Sequence, residues 1–185
     1  AEIAQRAGVA MLTVHGRTRA DKFSGAVEYD TIRNIVSAVD IPVIANGDIT
    51  SAVKARQVLD FTKAAGVMVG RAAQGRLWLP GAIARALQGG DYRVPDIADR
   101  FAILPEHVQS LHGVHGETMG HKIARKHAGW FFETELGEQY ARFKREFNAL
   151  SCQDAQTHFI ETKQAEIVDL MLRSERNTQW GTLAA

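Results

Sequence analysis

The run Ile41 to Asp48 (IPVIANGD) constrains the fold more than any other stretch. Val43, Ile44 and Ala45 are apolar without alternation, the pattern of a strand covered on both faces in a parallel sheet. They stop at Asn46-Gly47-Asp48, three small polar residues at the strand's C-terminal end. In α/β barrels that end carries the chemistry.

The same unit recurs on both sides. Gly8 to Val14 (GVAMLTV) ends in His15-Gly16-Arg17-Thr18-Arg19, and Gly66 to Val69 (GVMV) ends in Gly70-Arg71. His15 and Asn46 are 31 residues apart, Asn46 and Gly70 are 24 apart, and each interval accommodates a strand plus a helix. Three consecutive βα units are the minimum reading. Asp30 is expected to N-cap the first intervening helix, which would bury Ile32, Ile35, Val36 and Val39, and Asp40-Ile41-Pro42 ends it. Thr50 or Ser51 is expected to cap a second helix reaching about Phe61, with Val53, Val58 and Leu59 inside. A further helix around Pro80 to Leu87 stops at Gly89-Gly90, and Asp91 to Pro95 reads as a linker.

Ala1 to Gly8 reads as the last turns of a helix with Gly8 at its C′ position. Three βα units are too few to close an eight-unit barrel, so the chain is expected to be the C-terminal part of a longer protein. Beyond Pro95 the pattern is helical only. Phe101, Leu104, Val108 and Leu111 share one face, and Tyr140, Phe143, Phe147 and Leu150 share another. Ser151 and Asp154 resemble a capping box that opens a last helix with Ile160, Ile167, Leu170 and Met171 inside. The expected fold class is α/β: residues 1–92 as the C-terminal portion of a (β/α)8 barrel, 93–173 as a small all-α domain, and 174–185 as a flexible tail.

Composition narrows the function classes only slightly. A net charge of +1 does not identify a partner, and no apolar run approaches the length of about 18 residues that spans a membrane. The single cysteine, Cys152, excludes an internal disulfide framework and fits a reducing, cytoplasmic setting.

Gly70-Arg71 on the last strand suits an anion, because loops after late barrel strands commonly hold a phosphate through backbone N–H groups and a guanidinium. The competing reading is a tight turn with a surface arginine. Asn46 and Asp48 offer an amide and a carboxylate at the barrel mouth, although Asn-Gly-Asp is also favoured by any tight turn. His15 can serve as a donor there or be simply a satisfied polar residue. The loop from His15 to Phe23 gathers Arg17, Arg19 and Lys22, with Arg6 flanking it. On a helix Lys122, Arg125 and Lys126 fall on one face, either a grip on a nucleic-acid backbone or a solvated stripe. His107, His112 and His115 lack a Cys or Asp at familiar ligand spacing, so no metal is expected. Cys152 has no neighbouring base and reads as structural.

Taken together, HGRTR at 15–19, Phe23, Gly25-Ala26, IPVIANGDI at 41–49 and VMVGRAAQG at 67–75 resemble the tRNA-dihydrouridine synthase family. ARKHAGW at 124–130 resembles the helical domain of its bacterial B-type members. The resemblance implies an FMN-dependent oxidoreductase that uses NADPH to reduce the C5–C6 bond of a uridine in the tRNA D-loop, generally U17 for this type. By position it implies that Asn46, Gly47 and Asp48 contact FMN, that Gly70 and Arg71 bind its phosphate, and that His15 touches the flavin. Arg17 and Arg19 would face the substrate or phosphate side of the mouth, and Lys122, Arg125 and Lys126 would grip tRNA. The family's catalytic cysteine follows an earlier strand and has no counterpart here, so the chain alone is expected to be inactive. One departure is Lys63-Ala64-Ala65-Gly66, where the family usually has Gly-Ala-Asp-Gly. Two rival readings stand beside this one: another phosphate-binding barrel oxidoreductase acting on a small metabolite, and a non-catalytic RNA-binding module.

Overall fold

The computed structural model describes residues 1–20 and 25–183, so Lys22 and Phe23 lie outside the described residues. The chain divides into two compact units, residues 1–73 with 79–93, and residues 74–78 with 94–185. The short segment Gln74–Trp78 therefore groups with the second unit, although a division at residue 92 would have assigned it to the first.

In the first unit the order is α1 (Glu2–Arg6), β1 (Leu12–His15), α2 (Asp30–Ala38), β2 (Val43–Asn46), α3 (Ala52–Thr62), β3 (Gly66–Met68), a 3-10 turn (Arg71–Ala73) and α4 (Leu79–Leu87). The three strands form one parallel sheet in the order β1-β2-β3, with His15 paired to Asn46 and Asn46 to Met68. This register aligns the C-terminal ends of all three strands. The core consists of Ile32 from α2, Val43 and Ala45 from β2, Ala55 and Val58 from α3, and Leu79 and Ile83 from α4. Gln5 fixes the approach to β2: its side-chain carbonyl accepts from the N–H groups of Asp40 and Ile41 at 2.7 and 3.2 Å. Gly8 turns the chain out of α1 at φ +86°, as expected at a C′ position.

Several local expectations need correction. β2 is buried on one face only, because Val43 and Ala45 lie under helices whereas Ile44 and Asn46 are half-buried. Asp30 is the first helical residue of α2 and pairs with Arg33. The capping is done by Glu28, whose carboxylate accepts from the Thr31 N–H at 2.8 Å. The expected stripe is present, with Ile32 buried and Ile35, Val36 and Val39 half-buried. Ser51 caps α3 by accepting from the Lys54 N–H at 3.1 Å, while Val53 on that helix faces outward, 69% exposed.

The second unit is helical: α5 (Ile97–Glu135), a 3-10 turn (Gly137–Gln139), α6 (Tyr140–Asn148) and α7 (Gln153–Leu183). Asp96 caps α5 through the Asp99 N–H. α5 is two arms joined at Gly116, whose φ of +66° belongs to the left-handed region that glycine enters without steric cost. His107 Nε2 lies 2.9 Å from His127 Nδ1, whereas 20 residues of straight helix would separate them by about 30 Å. The arms thus double back as a hairpin. Phe132 and Phe147 meet edge to face at 5.8 Å within a core that also holds Phe101, Leu104, Val108, Phe131, Phe143, Ile160, Ile167 and Met171. Ser151 does not cap α7. The helix starts at Gln153, and the Cys152 carbonyl takes its first hydrogen bond. α7 continues to Leu183, so the stretch from residue 174 expected to lack regular structure is helical as far as it is described. Among the described residues, no helix is long and apolar enough to cross a membrane.

Candidate functional site

The aligned strand ends form a cavity of about 410 Å³ lined by His15, Asn46, Gly47, Asp48, Gly70 and Arg71 among others, all six of the expected cofactor residues. Asn46 is its central strut. Its Nδ2 donates to the Met68 carbonyl at 2.9 Å, which fixes the amide orientation and turns Oδ1 toward His15 Nδ1 at 2.7 Å. Because Oδ1 can only accept, His15 Nδ1 carries the proton, and Nε2 is left to accept from a ligand or, once the ring is protonated, to donate. Asn46 therefore orients the neighbouring histidine and ties the end of β2 to β3, while also lining the cavity.

The turn after β2 runs through two positive φ angles, +133° at Gly47 and +45° at Asp48. Gly47 meets a second constraint: a Cβ there would lie 2.7 Å from Val27 Cγ1. A Cβ on Gly16 would lie 2.4 Å from the same methyl and 2.6 Å from the Glu28 carbonyl oxygen. Val27 is thus held between two backbones that have no room for side chains. The Tyr29 hydroxyl donates to the Gly47 carbonyl at 2.6 Å, and burial raises its phenol above the ordinary value. Neither Val27 nor Tyr29 stood out in the sequence, since their partners lie 11 to 20 residues away and no spacing announces them.

Arg17 departs from expectation most. Its side chain is 4% exposed, and its guanidinium forms two hydrogen bonds to Asp48, at 2.6 and 3.1 Å, and two to the Gly25 carbonyl, at 2.7 and 3.2 Å. It is a buried brace under the turn, its guanidinium engaged by Asp48 and the Gly25 carbonyl. Hydrogen bonding from Arg17 holds the Asp48 carboxyl below its ordinary value, with Arg71 and His15 adding to the effect. Arg71, about half exposed, reaches Asp48 at 3.4 Å, and Arg19 is exposed. Gly70 leads directly into the 3-10 turn, and a Cβ on it would meet only Asn46 Nδ2, 4.0 Å away.

This arrangement of small residues, histidine and arginine at three parallel strand ends lies within residues 1–169, which match the family described as dihydrouridine synthase (Dus). The chain belongs to that family. It is 46% identical to a tRNA-dihydrouridine synthase B from Pseudomonas putida, across 89% of this chain and 50% of the relative. Proteins of the same name from Klebsiella pneumoniae and Escherichia coli K12 are each 44% identical across 87% of this chain and 50% of theirs. The chain is thus a Dus-family member of the bacterial B type and spans about half the length of the curated relatives it matches.

In the helical unit, Lys122, Arg125 and Lys126 do not act alike. Lys122 and Lys126 are exposed, and the Lys126 ammonium stands 4.9 Å over the Trp130 ring. Arg125 is folded back, donating twice to the Leu150 carbonyl at 2.8 and 3.1 Å, where it ties the α6–α7 connection to α5. Gln156, fully buried, joins the same hub by accepting from His112 at 2.8 Å and donating to the His121 carbonyl at 3.1 Å. Because the amide oxygen accepts, the proton between them sits on His112 Nε2. Among the described residues no three His, Cys, Asp or Glu side chains gather as a metal site.

Proposed function

We propose that this chain forms the C-terminal portion of an FMN-dependent tRNA-dihydrouridine synthase. The enzyme would use NADPH as its reductant and saturate the C5–C6 bond of a D-loop uridine, U17 being the position its B-type resemblance implies. On this reading the three parallel βα units are the end of a (β/α)8 barrel, and the helical unit grips the tRNA. The observation that carries the reading is the convergence of His15, Asn46, Asp48, Gly70 and Arg71 on one cavity at the strand ends.

The residues present fit FMN. The cavity falls within the range of about 300 to 1,000 Å³ usual for small-molecule sites. Bare Gly70 leaves open the space a side chain would fill, and Arg71 offers a guanidinium suited to a phosphate dianion. The Arg71–Asp48 contact, at 3.4 Å, is long enough for a phosphate to displace. Arg17 neutralises Asp48 from below, so the carboxylate adds little repulsion toward an anion. When bound, FMN supplies the hydride for C6 of the uracil. His15 would hold a polar edge of the cofactor, Asn46 would keep His15 in its tautomer, and the Arg17-braced turn would keep Gly47 and Asp48 in place. On this reading the cysteine acid that protonates C5 would be supplied from outside residues 1–185, and Cys152, in the helical unit, would have no part in the reaction. Lys122 and Lys126 would meet the tRNA backbone, and Arg125 would support them from within.

The test is the visible absorption of the protein prepared at the length of its relatives, as wild type and as Arg71→Ala. Flavin bands are expected in the wild type. The FMN affinity of Arg71→Ala should be lower by about 10- to 100-fold, the loss of one charge-assisted contact of about 1.5–3 kcal/mol. A colourless wild type that cannot be reconstituted with FMN would overturn the flavoenzyme reading and leave the RNA-binding module.

A further inference from the structure

The peptide between Gly47 and Asp48 faces two ways. Its carbonyl accepts from the Tyr29 hydroxyl at 2.6 Å. Tyr29 belongs to the lining of a different cavity, of about 480 Å³, between residues 26–30 and α3, so the carbonyl is turned away from the cavity at the strand ends. Among the described residues no peptide bond is cis, and in a trans peptide the N–H points opposite to the carbonyl. The Asp48 N–H is therefore turned toward the strand-end cavity, which Gly47, Asp48, Ile49 and Thr50 help to line. Among the described residues it has no hydrogen-bond acceptor.

The backbone alone does not favour that orientation. Asp48 sits at φ +45°, a left-handed value that is costly for a residue with a Cβ, even though aspartate tolerates it better than most. Turning the peptide over would rotate this φ by about 180°, into the ordinary extended region. It would also put the Gly47 carbonyl oxygen into the cavity, where it would repel any phosphate or carbonyl oxygen that the N–H could receive. The hydroxyl of Tyr29 opposes this reversal. Its ring is held in turn by α3, since the Lys54 ammonium stands 4.8 Å over the ring centroid. Burial and the nearby Asp48 charge raise the phenol above its ordinary value, so the hydroxyl keeps its proton to donate at neutral pH.

We infer that Tyr29 is a positioning residue of the cofactor site: its hydroxyl latches the Gly47–Asp48 peptide so that the Asp48 N–H stands ready for an oxygen of the bound flavin nucleotide. The inference rests on the flavin reading above. The latch is distinct from the Arg17 brace, because Arg17 holds the Asp48 side chain whereas Tyr29 sets the direction of the backbone.

The test compares wild type with Tyr29→Phe, which keeps the ring under Lys54 and removes only the hydroxyl, in protein prepared at the length of its relatives. FMN affinity is read by quenching of flavin fluorescence. The Asp48 amide is read in ¹⁵N-aspartate-labelled protein, its resonance identified by its loss in Asp48→Asn. In wild type that resonance is expected to move saturably with FMN. In Tyr29→Phe the FMN affinity should fall by about 3- to 10-fold, the worth of one hydrogen bond, and the displacement of the Asp48 resonance at saturating FMN should be largely lost. A Tyr29→Phe protein that binds FMN as wild type does would overturn the inference. So would one that binds more weakly but shows the wild-type Asp48 displacement at saturation, since a merely structural tyrosine would behave that way. A wild type that binds no FMN would instead overturn the flavin reading beneath it.

Discussion

Replacing Arg17 with methionine removes the brace under the Asn46–Asp48 turn while keeping most of its apolar stem. At least four hydrogen bonds are lost, two to a carboxylate and two to the Gly25 carbonyl. Hydrogen bonds to charged groups contribute about 1.5–3 kcal/mol when both partners are shielded. Asp48 is 43% exposed, so water recovers part of that value once the guanidinium is gone. A loss of about 2 kcal/mol follows, which lowers a urea midpoint by about 1 M at an m-value of about 2 kcal/mol/M. The readout is pulse proteolysis across a urea series, scored by peptides from residues 1–73. The effect has a pH signature. Asp48 has a folded pKa below its unfolded one, so its contribution is complete above the unfolded value of about 4 and is lost as pH falls through the folded value. The gap between wild type and Arg17→Met should therefore be full at pH 7 and shrink below about pH 4. Asp48→Asn should cost much less in the Arg17→Met background than in wild type, because the two side chains form one interaction. A midpoint unchanged within about 0.2 M, or strictly additive single and double mutants, would refute the brace.

Gly75→Ala combines a left-handed backbone penalty with a clash against Thr134 and the Trp130 carbonyl, and should destabilise the helical unit by about 2–4 kcal/mol, visible as a Tm fall of about 8 °C or more. His107 and His127 both have pKa values lowered by burial, so the unfolded state binds protons more readily; stability is complete above about pH 6.5 and falls as pH drops below it. His127→Gln should flatten that acid limb in denaturation measured from pH 8 to 5. Arg125→Met should cost about 1–2 kcal/mol of stability through the Leu150 carbonyl and leave the salt slope of tRNA binding unchanged. Lys126→Gln should do the reverse, reducing that slope by about 1 with little change in Tm.

Much of the first unit was legible in the sequence because its signals are local. The apolar runs ending in Asn46, Gly70 and His15 mark three strand ends, and the parallel register joins those ends without needing any further information. The Ser51 cap and the stripe through Ile32 and Val36 were readable for the same reason: a helix places its partners within one or two turns. What misled was equally local. Asp30 has the chemistry of a cap, yet Glu28 captures the orphan N–H, and Val53 fits the helical period but faces away from the sheet.

The positively charged residues separate the two kinds of knowledge most clearly. The sequence by itself determined that arginines and lysines stand beside the strand ends and along the second arm of α5, because charge and period are properties of the chain. Only the tertiary structure decided their roles, since burial and partner choice depend on atoms brought in from 8 to 31 residues away. Arg17 is drawn inward by Asp48 and the Gly25 carbonyl, and Arg125 by the Leu150 carbonyl, while Arg71 and Lys126 stay at the surface. The hairpin at Gly116 belongs to the same category. Its glycine permits the reversal, but the His107–His127 and Arg100–Glu135 pairings across the two arms exist only once the apolar faces have packed. A guanidinium is equally able to meet a ligand or to hold up a loop, and the difference lies in which carbonyls and carboxylates the fold places within 3 Å of it.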